Sequence, residues 1–207
     1  MKIPHLRPFW LLLLTGILSS CAQPTSVVKL YDETARSNHQ YERFLIIGIA
    51  GDEETRQRLE DMIVEHLRAA GADAVPGHAE TGMKTALLQE EINAAARHAN
   101  ADAIMVTHII SVDTKTEIEE GRIDTVAECR GGDPADYFLY NYEELKEPDS
   151  VKLAHTVVAI TNLYETIDGK RVWSIQSTCF DKASMNEVLV DEAKAIARQM
   201  RIDNLIG

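Results

Sequence analysis

Basic residues are scarce in this chain: 21 Lys+Arg stand against 33 Asp+Glu, a net charge of −12 over 207 residues. A surface this acidic does not seek phosphate backbones or anionic headgroups, which excludes nucleic acid as a partner. No apolar run reaches the roughly 20 residues that a bilayer-spanning helix needs. No internal repeat and no low-complexity tract is visible, which excludes solenoids and biased linkers. Catalytic signatures are missing as well. Gly48-Ile-Ala-Gly51 sits where a phosphate loop would, between a strand and a helix. It lacks G-x-G-x-x-G and the Lys-Ser/Thr of a P-loop, and Asp52-Glu53-Glu54 would repel phosphate. There is no G-x-S-x-G and no H-E-x-x-H. Ser26-Val-Val-Lys29 matches S-x-x-K but has no S-D-N or K-T-G partner. The seven histidines are dispersed, with no helical-repeat pairing that would ligate a metal. His108 and His155 are the one pair that could meet across strands. Asp113 to Gly121 has the look of a calcium loop, but Lys115 stands where an oxygen ligand is needed. The expectation is a non-enzymatic protein with no catalytic residue, no metal and no cofactor.

What is present begins at the N-terminus. Lys2, His5 and Arg7 make a basic start, Phe9–Leu14 and Gly16–Leu18 an apolar stretch of about ten residues, and Leu18-Ser19-Ser20-Cys21 ends it. An aliphatic residue, two small residues and a cysteine resemble the lipobox of bacterial lipoproteins. The chain holds only three cysteines, so one in this register is not there by chance. The resemblance implies a signal peptide over 1–20, a Cys21 thiol that takes a diacylglyceryl group, and a mature chain anchored in a membrane by its lipid. The absence of aspartate after Cys21, where Ala22 and Gln23 stand, implies the outer membrane, facing the periplasm. Removing residues 1–20 takes away Lys2 and Arg7 and leaves 19 basic against 33 acidic residues, a mature charge of −14.

Residues 21–41 read as a flexible tether behind the lipid, and 42–207 as a single α/β domain. Arg43–Ala50 and Ala103–Ile110 are continuous apolar runs, the pattern of strands buried on both faces. Between them, Glu54–Ala70 carries Leu59, Met62, Ile63, His66, Leu67 and Ala70 on one helical face and stops at Gly71. A second helix over about 85–99 turns Leu88, Ile92 and Ala95 or Ala96 inward. This order makes the two strands parallel. Thr156–Glu165 and Arg171–Phe180 are strands joined through Asp168-Gly169, and Trp173 and Ile175 share the core face. Ser184-Met-Asn-Glu187 opens a last helix with Leu189, Ala193, Ile196 and Met200 on one face. The sum is a two-layer sandwich: a mixed sheet of four to five strands with about three helices.

Arg43–Ala50 with Arg56–Gly71, the strand entry Ala101-Asp-Ala-Ile-Met-Val106, and the hairpin Asn162-Leu-Tyr164 … Asp168-Gly-Lys-Arg-Val-Trp-Ser174 resemble small envelope lipoproteins of unknown function. Their domain is similar to the TolB N-terminal domain, the curli-secretion lipoprotein and the penicillin-binding-protein activator lipoproteins. The resemblance implies the fold and names no activity, and the sequence carries no pore-forming transmembrane ribbon of the curli-secretion type.

The segment 113–152 is a long acidic and aromatic insertion. Twelve acidic residues face four basic ones between Asp113 and Ser150, and Tyr137, Phe138, Tyr140 and Tyr142 fall within six positions. A connection this long is functional or disordered. Two readings compete: an aromatic flap on its own domain, or a contact surface for an envelope protein partner. A further alternative for the whole domain is small-ligand or enzymatic use of the crevice at the strands' carboxyl ends. Export would place Cys129 and Cys179 in an oxidising compartment, where they could pair as a disulfide or stay as two buried thiols. Cys21→Ser is expected to leave an unlipidated precursor that no longer partitions into detergent. Processing and partition like wild type would end the lipoprotein reading.

Overall fold

The computed structural model describes residues 25–32, 40–82, 87–119 and 150–207. Six strands form one sheet in the order β1-β6-β5-β4-β2-β3. In chain order the elements are β1 (Ser26–Asp32), β2 (Arg43–Ile49), α1 (Glu53–Ala69), β3 (Asp73–Pro76), α2 (Gly77–Thr81), α3 (Gln89–His98), β4 (Ala103–Glu119), β5 (Ser150–Glu165), β6 (Arg171–Lys182) and α4 (Met185–Ile202). The strands β3, β2 and β4 run parallel, and β4–β5, β5–β6 and β6–β1 are antiparallel. The sheet is mixed, as the sequence implies, but has six strands rather than four or five, and the described helices number four. No helix among the described residues is long and apolar enough to cross a membrane.

Local sequence explains the elements. Asp52 caps α1, accepting from Thr55 N at 2.8 Å and Thr55 Oγ1 at 2.7 Å. These bonds to Thr55 hold its carboxyl below the ordinary value, and Glu53 and Glu54 follow in the first turn. The acids after Gly51 are therefore helix-capping groups. At the other end Gly71 takes φ +94°, and Ala72 N–H reaches back to Leu67 O at 3.0 Å. A residue with Cβ resists that left-handed turn. Asp102 accepts from Glu42 N at 2.7 Å and Arg43 N at 3.0 Å, so the Ala101-Asp102-Ala103 entry sets β4 in register beside β2. Ser184 caps α4 by accepting from Glu187 N at 3.2 Å.

The main core lies between one face of the sheet and helices α1 and α4. Phe44, Ile46, Met105, Leu163, Trp173 and Ile175 meet Leu59, Ile63, Leu67, Leu189, Ile196 and Met200. The alternate residues Leu45, Ile47 and Ile104 face the other way, against Ala95, Ala96 and Ala99 of α3. The two-layer expectation thus holds for β5 and β6, while over β2 and β4 a helix covers each face. That is why the β2 and β4 runs are continuously apolar. Leu88, expected inward, lies outside α3 at its N-cap and is 69% exposed.

The expected tether is the largest correction. Ser26–Asp32 is an edge strand paired with β6 from Ser26↔Thr178 to Asp32↔Trp173. Lys29 donates to Asp32 at 2.8 Å and forms an ion pair with Asp203. The buried Asp203 also accepts from Trp173 Nε1 at 2.7 Å and Gln199 Nε2 at 3.1 Å. Burial alone would lower the Lys29 ammonium, but its bonds to Asp203 and Asp32 outweigh that and hold it above its ordinary value. The Arg171 guanidinium stacks over the Tyr31 ring at 5.2 Å. Seven mostly exposed residues show no periodicity strong enough to read as a strand, and only these tertiary partners decide it. Lys29→Met is expected to cost about 1 kcal/mol, a half-exposed charge-assisted bond, lowering Tm by roughly 3 °C. It should also speed amide exchange across residues 26–32, and unaltered exchange there would show that the clamp does not hold β1.

Candidate functional site

Three clusters of buried polar side chains could carry chemistry. At the carboxyl ends of β2 and β3, Glu60 is wholly buried and accepts four bonds. Its Oε1 takes Gly48 N–H and Arg56 Nε–H, both at 2.9 Å. Its Oε2 takes His78 N–H at 2.6 Å and lies 2.9 Å from His78 Nδ1. The fit is tight: a Cβ at Gly77 would meet Ile47 Cδ1 at 2.5 Å and Ile46 O at 2.7 Å. Where the alternative reading places a ligand crevice, the described residues form a closed network that ties α1 to β2 and α2. Sequence reasoning missed Glu60, because an acid at a helical position reads as a solvated face.

The second cluster lies under α4. Ser177 donates to Glu192 Oε1, and Cys179 Sγ lies 3.8 Å from Glu192 Oε2 and 3.4 Å from Thr25 Oγ1. Burial pushes the Glu192 carboxyl above the ordinary value, and the bonds from Ser177 and Cys179 offset this only in part. Burial likewise pushes the Cys179 thiol up to about 11, the Thr25 bond lowering it and the Glu192 charge raising it. Such a thiol is not a nucleophile at neutral pH. Cys179 is a buried free thiol, and its expected partner Cys129 lies outside the described residues. The third cluster is Tyr41, which donates to Glu165 Oε1 at 2.8 Å. Burial, followed by that bond, pushes its phenol above the ordinary range.

No group of three or more His, Cys, Asp or Glu among the described residues could hold a metal. His108 pairs with Ile160 and His155 with Thr114, so the two histidines do not face one another. His155 Nδ1 instead bonds Thr114 Oγ1 at 2.9 Å. Ser26 and Lys29 lie on opposite faces of β1, with Lys29 committed to Asp203. An open cleft of about 730 Å³ lies between α3 and the β5–β6 turn, with Asn93, Arg97, Glu165 and Asp168 in its wall. It is at the amino end of β4, away from the expected working end.

The remaining feature is a ribbon. β4 and β5 were expected to begin or end near 110 and 156. They stay paired far beyond the helices, from Ser111↔Val158 to Glu119↔Ser150. A bulge between Ile109 and Ser111 shifts the alternation by one residue, and a one-residue shift exchanges faces. Val112↔Val157, Thr114↔His155, Thr116↔Leu153 and Ile118↔Val151 therefore share the face on which Val157 packs with Cys179 and Val188. Past Val157 nothing among the described residues covers that face: Val112 is 48% exposed, Leu153 45%, Val151 62% and Ile118 70%. The opposite face carries Asp113, Lys115, Glu117 and Lys152. The ribbon is amphipathic with its apolar row bare. Residues 113–119 and 150–152 of the insertion are thus strand, while Tyr137, Phe138, Tyr140 and Tyr142, the expected contact residues, lie outside the described residues, as does Cys21.

No family model and no curated protein matches the chain. Among solved structures it is similar to the PelC dodecamer of Paraburkholderia phytofirmans, at 15% identity over 88% of this chain and 99% of that one, TM-score 0.47. It is also similar to lipoprotein GNA1162 of Neisseria meningitidis, at 15% identity over 78% and 99%, TM-score 0.40. A third likeness is to a neuraminyllactose-binding hemagglutinin homolog of Helicobacter pylori, at 10% identity over 86% and 94%, TM-score 0.36. These are likenesses of fold.

The raised Glu192 carboxyl has a signed consequence. Between the unfolded value, about 4.3, and the higher folded one, the native state holds a proton that the unfolded chain releases. Stability therefore falls as pH rises through that window. Glu192→Gln removes the effect, so the Tm of the variant minus that of wild type should grow more positive from pH 4.5 to pH 8. A difference that shrinks with pH would mean that the fold favours the carboxylate.

Proposed function

We propose that the protein is a lipid-anchored envelope protein of the outer membrane, facing the periplasm, that works without catalysis as a binding or assembly accessory. Its docking surface is the apolar row of the β4–β5 ribbon. The observation that carries this reading is the row itself. Four large aliphatic side chains on one face of a projecting two-stranded ribbon are costly in water and mark a surface made to be covered. The partner is a protein with an apolar strip and a basic rim. Asp113 and Glu117 are balanced by Lys115 and Lys152, but the sequence joining the strands, 120–149, carries nine acidic against three basic residues, a charge that selects a positive partner and speeds its approach. The same charge disfavours a second copy of this chain, which is equally acidic.

A photo-crosslinker at Val151 in cells should give one discrete protein adduct. Ile118→Asp should abolish it and added salt should weaken it, while the melting temperature stays within about 1 °C because the site is exposed. A crosslinker at Ile167, 94% exposed at the opposite end of the sheet, should give no such adduct. An equal adduct from Ile167, or none from Val151, would sink the reading.

A further inference from the structure

The start of β1 and the ribbon lie at the same end of the sheet. β1 begins at Ser26, opposite Thr178 of β6, which pairs with Val158 of β5, itself opposite Ser111 of β4. The chain arriving at Ser26 therefore comes from the side on which the ribbon projects. Thr25 continues that path, its Oγ1 lying 3.4 Å from Cys179 Sγ. From Cys21 to Ser26 is five residues, which span at most about 18 Å fully extended. From Ser111 to Glu119 is eight residues of strand, about 27 Å at antiparallel rise. The ribbon thus reaches farther from this row of the sheet than the anchor chain can.

We infer that β1, clamped through Lys29 and Asp203, holds the domain against the membrane with its ribbon end turned toward the bilayer, so that the ribbon's partner is a protein resident in or on that same membrane. This rests on acylation of Cys21 and on the docking surface proposed above. Were residues 22–40 a free tether, twenty residues would separate Cys21 from Tyr41. Their extended reach of about 70 Å would leave the ribbon free to meet soluble periplasmic proteins. With β1 docked that freedom is lost. The ribbon is confined to the headgroup layer or the protein surfaces that emerge from it. The bilayer itself is a poor occupant, because a chain with 33 acidic against 21 basic residues is repelled by anionic headgroups.

The test keeps the whole lipidated chain and lengthens only the anchor. About 15 Gly/Ser residues are inserted after Gln23, behind the sorting residues and ahead of β1, and the Val151 crosslinker is used in cells. The expected adduct is to a protein of the membrane fraction. Its yield should drop roughly eightfold on insertion, as effective concentration falls with about the three-halves power of a tether grown from five to twenty residues. Thermal unfolding of the lengthened protein should match wild type, so that the drop reports distance and not damage. An adduct to a soluble protein, a yield that the insertion leaves unchanged, or crosslinks to lipid alone would overturn the inference. The first two of these would leave the ribbon's role as a protein-docking surface standing. Absence of any protein adduct from Val151 in the unmodified chain would instead remove that role.

Discussion

A buried carboxylate, that of Asp203, joins three elements that no local rule brings together. It stands just past the end of α4 and accepts from Trp173 on β6, Gln199 on α4 and Lys29 on β1. An ionised carboxylate removed from water costs several kcal/mol unless donors replace the lost hydration, and here two neutral N–H groups and an ammonium do so. The arrangement is conditional on all three. Without β1 the charge loses its one cationic partner among the described residues, and without the carboxylate the indole N–H of Trp173, the largest core side chain, loses its acceptor. The attachment of the first described strand and the seating of the last helix therefore depend on one another. Tyr41 repeats the pattern on a smaller scale, its N–H donating to Leu205 O at 3.0 Å so that the chain re-enters the domain beside its own C-terminal end.

The three buried acids show how environment decides the state of a carboxyl. Asp203 meets a cation. Glu60 meets a guanidinium, a histidine and two backbone N–H groups, and its oxygens are saturated. Glu192 is disfavoured in its ionised form by burial, which the one hydroxyl and one thiol it meets offset only in part. Lys182 is close at hand but is paired with Asp191 at 2.7 Å. None of the three presents an unmet valence to a solvent-filled space, which is what a general acid or base would need.

The ribbon has a different physics. Within the domain the β4–β5 pair is stabilised by α4 from one side. Beyond Val157 it keeps the same alternation, and no described helix covers it. The bulge near Ile110 makes this consistent, because without it Val112 and Ile118 would lie on the face opposite Val157, apart from Val151 and Leu153. The polar face alternates Asp113, Lys115 and Glu117, so the two faces differ as those of a half-buried strand do.

How much of this the sequence carried can be argued residue by residue. The apolar runs of β2 and β4, the caps at Asp52 and Ser184, the Gly71 stop, the Asp168-Gly169 turn and the inward faces of α1 and α4 were legible, because each depends on neighbours within four or five positions. The four-residue β3 and the short α2 were not, since elements of that length hold too few residues for a period. Nor was the burial of Glu60, which needs Gly48, His78 and Arg56 from three separate elements. The sequence by itself determined a mixed α/β domain, an acidic composition and a Leu18-Ser19-Ser20-Cys21 pattern that resembles a lipobox. Tertiary structure alone decided that Ser26–Asp32 is a strand, that α3 covers a second face, and that Val112, Leu153, Val151 and Ile118 form one row that no described residue covers. Strand pairing and a one-residue bulge set which side chains share a face, and both are contacts between residues some forty positions apart.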